Sequence, residues 1–314
     1  MYRRTLKRIG LGLVILIVLT AFVGRITIAA SNNGLTAANF LAIGMGAGAS
    51  AMGDANTASS HGSSAAYWNP AGLAGLEKAE IMLSHFSWFQ DTKLEHGVIA
   101  FPLGEKVTLA TSITYLGYGQ IRGYDLSGEY TGELSSYDLA GGVSLGFRAT
   151  GNLSVGVTVK YVSQRMADVN GSTFAGDFGV KYRFRWITVA GVISNVGPEV
   201  QFQKSREKLP TSSRIGFALS PFGSQFVTTF ELDKRRYGRL ALHQGAEYVI
   251  SDQYFVRAGY TYSTDQEIRS FGSGVSLGGG VRMGSVTLDY AFTPKDNYTS
   301  DNLHRFSVSY IIGR

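Results

Sequence analysis

The chain has no cysteine in its 314 residues, which removes disulfide staples, thiolate zinc sites and cysteine nucleophiles. Only six prolines interrupt it, and charged residues make up 17%, below the roughly 25% of an ordinary soluble domain. Long hydrophobic runs are also missing. The one apolar stretch of note, residues 9–23, is shorter than the roughly 20 residues a spanning helix needs, which argues against helical membrane spans. An exported chain without staples must be held by its own packing or hydrogen bonding, and a closed β-ladder supplies both.

That apolar stretch is preceded by Arg3, Arg4, Lys7 and Arg8 and followed by the small residues of Ile28-Ala29-Ala30. This is the order of a secretory signal peptide, so residues 1–30 are expected to be removed and are set aside from the fold. The segment holds five of the 29 Lys+Arg, Arg25 being the fifth, and no acid, which leaves 24 cations against 23 acids. With charge so nearly balanced there is no basic face for nucleic acid.

Glycine (40 residues) and aromatics (12%) are abundant, and from about Glu80 onward they fall into one rhythm. Apolar residues alternate with small or polar ones for about ten positions before each turn signal. Thus Leu153, Val155, Val157, Val159 and Tyr161 interleave with Ser154, Gly156, Thr158 and Lys160. Period two is the strand signature. Fourteen segments share it, near 80–90, 94–102, 106–118, 135–148, 152–165, 172–184, 186–194, 212–220, 224–234, 239–250, 253–263, 271–283, 285–293 and 303–312.

The connections sort into two classes. Alternate ones are minimal (103–105, 149–151, Arg185, 221–223, 251–252 and Gly284), and the others include the long segments 119–134, 195–211 and 294–302, with shorter members such as 166–171. Short turns at one end and longer loops at the other predict an all-β, 14-stranded antiparallel transmembrane β-barrel of the outer-membrane kind. All six prolines fall outside strand interiors, as a ladder requires. Phe147, Tyr161, Tyr182, Tyr260, Tyr262, Tyr290 and Phe292 lie near segment ends, which suits interfacial girdles better than the core of a soluble sandwich.

If the apolar set faces lipid, the other set faces the lumen. Its charged members are Asp138, Arg148, Lys160, Asp177, Lys181, Arg183, Glu231, Asp233, Glu247, Arg257, Asp289 and Arg305. A barrel of this size is too wide for wall side chains alone to fill. The even balance of signs points to a paired network and away from a strongly ion-selective pore.

Residues 31–79 lack the strand rhythm. Gly44, Gly46, Gly48 and Gly53 sit among alanines and serines, and Tyr67-Trp68-Asn69-Pro70-Ala71-Gly72-Leu73-Ala74 follows. Asn69 is placed to cap, and Pro70 to begin, a short turn of helix over 70–76. The stretch is expected to pack into the barrel as a hatch, leaving 80–314 as the barrel domain. The run from Gly44 to Ala55 together with the run from Tyr67 to Ala74 resembles the PorV/PorQ proteins, themselves similar to the FadL fatty-acid transporters. The chain departs from the usual terminal aromatic of such barrels, ending Ile311-Ile312-Gly313-Arg314, with Tyr310 as its nearest substitute.

The resemblance implies a barrel with its N-terminal segment inside and a non-enzymatic role in protein secretion or surface attachment through a type IX system. Cargo proteins and secretion-machinery subunits would then be its partners, met at loops 119–134 (Tyr124, Tyr130) and 195–211 (Phe202, Lys204, Arg206, Lys208). The FadL side of the resemblance implies the alternative, a channel for hydrophobic small molecules such as fatty acids. That would need an apolar pocket, to which Leu41, Ile43, Met45 and Met52 could contribute.

Catalytic motifs are sparse. Gly142-Val143-Ser144-Leu145-Gly146 and Gly274-Val275-Ser276-Leu277-Gly278 match the nucleophile-elbow pattern but lie within alternating strands, where no strand-to-helix turn is available. The five histidines (His61, His85, His96, His243, His304) lack metal-ligand spacing. Gly44-x-Gly46-x-Gly48 neither follows a strand nor opens a helix of a βαβ unit, so phosphate binding is the weaker reading and no cofactor is expected. A lipid-modifying outer-membrane enzyme is a third hypothesis, but it would need a Ser/His/acid cluster at the rim, and none is found.

Overall fold

The computed structural model describes residues 36–87, 92–203, 205–236, 240–263, 274–294 and 302–313. The expected signal peptide lies outside the described residues, as do Lys204 and parts of several loops. Fourteen strands form the wall: β1 Glu80–Ser87, β2 Lys93–Pro102, β3 Val107–Gly117, β4 Ser136–Arg148, β5 Leu153–Met166, β6 Val169–Phe184 and β7 Ile187–Val196, then β8 Ser212–Leu219, β9 Phe226–Arg235, β10 Leu240–Ile250, β11 Tyr254–Ser263, β12 Val275–Met283, β13 Val286–Thr293 and β14 Leu303–Ile311. Each pairs antiparallel with its successor, and β14 pairs back onto β1 from Ile311↔Glu80 to His304↔Ser87. Closure leaves no strand of the wall, among the described residues, without a neighbour on each side, the condition for placing a sheet in lipid.

The alternation read from the sequence is the alternation of exposure. In β5, Val157, Val159 and Tyr161 are exposed on the outer wall while Thr158 and Val162 are buried inside. Leu83, Ile113, Val143, Phe147, Phe178, Ile215 and Phe306 continue this apolar outer surface around the barrel. At one end the hairpins are tight and turn through positive φ: Gly104 at 124°, Arg185 at 53°, Ser251 and Asp252 at 54° and 57°, Gly284 at 60°. The two-residue turns at 185–186 and 284–285 have the hand that matches the right-handed twist of the strands they join.

The other end carries the long connections. Residues 119–134 hold a hairpin of their own, Ile121–Tyr124 against Tyr130–Leu134. In the β7–β8 connection, Val200–Gln201 pairs with Arg206–Glu207, and Gln201 also pairs with Ser172 of β6.

Two expectations need correction. The loop placed at 166–171 is a two-residue turn, because the β5–β6 ladder runs on to Met166↔Val169 and Ala167 takes φ 53°. Asn170 and Gly171 read as turn residues, but pairing with Arg165 and Gln164 satisfies their backbone groups better than an open loop would. The helix expected over 70–76 is a single 3-10 turn, Pro70–Leu73, after which Ala74 is extended and Gly75 turns away at φ 86°.

Candidate functional site

The candidate site is the interface between residues 36–79 and the inward face of the wall. The segment contains α1 (Ala47–Ala51), α2 (Ala65–Trp68) and three 3-10 turns, all too short to persist without tertiary contacts. Trp68 is 1% exposed and Asn69 and Leu73 are 0%. Trp68 Nε1 donates to the Met45 carbonyl at 2.8 Å, and Tyr67 donates its hydroxyl to the Ile43 carbonyl at 2.7 Å. Burial pushes the Tyr67 phenol up to about 12, so it remains a donor. These two bonds tie the glycine-rich run to the Asn-Pro-Ala-Gly run.

Asn69 caps the 3-10 turn: its Oδ1 accepts from the Ala71 amide at 3.1 Å, and its Nδ2 donates to the Thr57 carbonyl at 3.1 Å. Asn69→Ala removes both bonds in a dry setting and is expected to cost about 2 kcal/mol. The check is the denaturant midpoint for loss of Trp68 burial, which an equal midpoint in the variant would contradict.

The glycines of both motifs are placed by close approach. Gly53 takes φ 65°, and a Cβ there would stand 2.8 Å from the Tyr260 backbone nitrogen and 2.9 Å from the Gln244 carbonyl oxygen. Gly48 faces the Arg257 guanidinium, Gly44 the Asp54 carboxylate and Gly72 the Ser60 carbonyl, while Gly46 precedes α1 at φ 85°. The wall answers with glycines that the sequence reading did not single out. Gly146, Gly156 and Gly179 are cross-strand neighbours on β4, β5 and β6, and Asn69, Pro70, Ala71 and Leu73 rest on them. Gly245 and Gly259 are paired on β10 and β11 beneath Met52 and Gly53. A wall side chain at any of these positions would occupy the volume of the segment's backbone. Their signal was present in the sequence as glycine at inward-facing positions of otherwise alternating strands.

The charges form local networks. Arg257 donates to Glu247 at 2.6 Å and to Asp289 at 2.6 Å. Lys160 pairs with Asp177 at 2.8 Å and donates to Asn195 at 2.7 Å. Asp177 sits where the β6–β7 register shifts between Gly176 and Phe178, and accepts from the Asn195 amide at 2.8 Å. Asp138 accepts from Tyr118 at 2.8 Å and Gln164 at 2.9 Å. Others reach the segment directly: Glu231 accepts from the Thr57 amide at 2.8 Å, Lys181 donates to the Ser60 carbonyl at 2.5 Å, and Arg305 donates to Ser50 and lies 3.7 Å from Asp54. Arg148 and Arg183 are exposed near the short-turn end.

Asp233, 0% exposed, faces Arg214 at 3.4 Å and Arg235 at 3.2 Å. Arg214 was missed in the sequence, although Ile215 and Phe217 facing outward place it inward. It stacks over the Trp68 ring at 5.1 Å and lies 3.8 Å from Glu231, which makes it the hub between wall and segment. Two pattern matches resolve into structural roles. Ser144 bonds to Thr158 at 2.8 Å, and Ser276 accepts from the Gly53 amide at 3.0 Å.

Nearer the long-loop end the lumen is apolar. Phe40, Leu41 and Met45 of the segment pack with Phe86, Leu94, Leu116 and Val162 of the wall, under Val200 and Leu209 of the β7–β8 connection. A void of about 20 Å³ remains beside Leu41, Met45, Tyr67 and His96.

No family model matches the sequence, and no curated protein matches it. Its fold is similar to solved structures at low identity. A FadL homologue from Pseudomonas aeruginosa is 13% identical, covering 90% of this chain and 100% of its own, with a TM-score of 0.58. The toluene transporter TodX of Pseudomonas putida is 13% identical over 90% of this chain and 99% of its own, TM-score 0.61. The monoaromatic hydrocarbon channel CymD is 12% identical over 86% of this chain and 98% of its own, TM-score 0.61. The chain shares with them the FadL-like barrel fold.

Proposed function

We propose that the chain is an outer-membrane channel for hydrophobic small molecules, with residues 31–79 as the luminal hatch. The observation that carries this reading is the apolar compartment around Phe40, Leu41 and Met45. It is enclosed by a lumen otherwise rich in paired charge, and it lies directly beneath the long-loop end. An apolar ligand entering from that side replaces hatch side chains by its own surface at little cost, since both partners are apolar. The fold-level likeness to a toluene transporter and a monoaromatic hydrocarbon channel supports the same reading. Passage then requires the segment to shift, because the void beside Leu41, Met45, Tyr67 and His96 holds only about 20 Å³.

The test is uptake of radiolabelled fatty acid or monoaromatic hydrocarbon by cells lacking other such channels. Expression of the wild-type protein is expected to accelerate uptake several-fold, and Leu41→Glu to abolish the gain. Uptake unchanged by expression of the folded protein would sink the reading.

One observation favours a second reading, the PorV/PorQ-like role in type IX secretion. The rim hairpin presents Tyr124 and Tyr130, 58% and 57% exposed and packed edge to face, with Leu126 at its tip. Exposed aromatics on a hairpin are the kind of anchor that protein interfaces use. Near-stoichiometric secreted cargo or machinery subunits in a native pull-down from mild detergent would favour this role over transport.

A further inference from the structure

The outer face of the β1–β2 hairpin carries a serine, a histidine and a carboxylate in one hydrogen-bonded line. His85 and Ser87 are two residues apart on β1 and so share the outward face, while the register sets Glu95 of β2 directly opposite His85. Glu95 Oε1 lies 2.7 Å from His85 Nδ1, and His85 Nε2 lies 2.8 Å from Ser87 Oγ. A carboxylate can only accept, so Nδ1 carries the proton, and in the neutral imidazole Nε2 keeps a lone pair aimed at the serine hydroxyl. That is the order of nucleophile, base and orienting acid found in acyl-transfer triads on unrelated folds. His85 and Glu95 are 41% and 50% exposed, so a reactant can reach them.

Two further features suit an ester substrate. Lys93 faces Ser87 across the ladder, and outward neighbours in such a pair stand about 5 Å apart at Cβ. Its ammonium is therefore within reach of charge that develops on a carbonyl oxygen at Ser87. Alongside, an apolar groove of about 620 Å³ runs over Leu83, Ile113, Tyr115, Leu288, Phe306 and Val308, with His85 and Glu95 on its margin. Gly97 lies between Leu83 and Ile113, its missing side chain leaving the groove open. The groove is on the lipid-facing wall, and the polar trio stands at the long-loop end of the hairpin, where the apolar interior of a bilayer gives way to the headgroups. Among occupants, a long acyl chain alone places apolar length in the groove and an ester at the trio.

We propose that Ser87, His85 and Glu95 form a hydrolase site for fatty-acyl esters of membrane lipid, separate from the lumen and additional to transport. Ser87 Oγ attacks the ester carbonyl carbon as His85 Nε2 takes the hydroxyl proton. The carbon–oxygen bond to the lipid breaks, and His85 returns the proton to the departing alkoxide. Water then attacks the acyl-serine with His85 again as base, releasing a fatty acid and restoring the serine. Glu95 holds the histidine tautomer and stabilises its cation throughout.

The test uses the refolded full chain in mixed micelles, with its folded state confirmed by heat-modifiable gel mobility. A fluorophosphonate probe is expected to label Ser87, identified by peptide mass spectrometry, and fatty acid is expected to be released from diacyl phosphatidylcholine or from O-acylated lipopolysaccharide. Which lipid is cleaved identifies the ester source. Ser87→Ala and His85→Ala should each lower release by about 10³-fold or more, and Glu95→Gln by a comparable factor, all three leaving the barrel folded because the positions are on its outer surface. Absence of release from both lipids by folded wild-type protein overturns the proposal. So does release that persists in Ser87→Ala.

Discussion

Gly156→Val is expected to unseat the Asn-Pro-Ala-Gly turn and expose the luminal segment while leaving the barrel closed. Gly156 lies on the inward face of β5, and a Cβ there would fall on the carbonyl carbon of Pro70 and the amide nitrogen of Ala71. Both obstacles are backbone, so no rotamer change relieves the clash. Gly146 and Gly179 flank Gly156 under the same turn, so sliding sideways is blocked as well. Overpacking of this kind costs about 1–3 kcal/mol when side chains can yield, and more when they cannot. Lifting the turn also forfeits the Asn69 bonds to Ala71 and Thr57.

Limited proteolysis should cut the variant within residues 36–79 at least tenfold faster than wild type, with heat-modifiable mobility unchanged. Planar-bilayer recordings should show a raised baseline conductance. Gly141→Val is the control: it is a glycine of β4 with nothing within 4 Å of its Cβ position, and it should behave as wild type. Equal proteolysis of Gly156→Val and Gly141→Val would show that the segment does not rest on these glycines.

The pairing of glycine with glycine across the site also shows what the sequence could and could not disclose. Period-two alternation in stretches such as residues 153–161 located every barrel strand, because inside and outside face different solvents and each residue must suit one of them. The sorting of short and long connections followed for the same reason. Local chemistry misled where the ladder had more to offer: Asn170-Gly171 looks like a turn but extends β6. Relations across the lumen were not legible, since nothing linear links Gly156 to Pro70 or Glu231 to Thr57. Register relations lie between these cases. His85, Ser87 and Glu95 are near in sequence, yet their line depends on His85 standing opposite Glu95, and a one-residue slip would send Glu95 to the other face. Arg214 was within reach of the alternation argument and needed only the parity set by Ile215 and Phe217.

Arg214 supplies the second large effect. It is 9% exposed and stands between Asp233 and Glu231, which are 0% and 4% exposed, with the Trp68 ring against its guanidinium. Arg214→Ala leaves two carboxylates inside the lumen with one of their counter-charges gone, Arg235 remaining beside Asp233. Removing one member of a buried ion pair costs about 3–5 kcal/mol, most of it from the stranded charge and not from lost attraction. The loss should be felt at the segment, because Glu231 also accepts from the Thr57 amide and Trp68 loses its stacking partner. Denaturant titration followed by Trp68 fluorescence should therefore show the segment releasing well before the wall unfolds, a separation smaller or absent in wild type. The triple variant Arg214→Met, Glu231→Gln, Asp233→Asn removes the charge and keeps most of the volume, and it should recover the greater part of the loss. If the triple variant is as unstable as Arg214→Ala, packing of the guanidinium on Trp68, and not neutralisation of the two carboxylates, is what seats the segment.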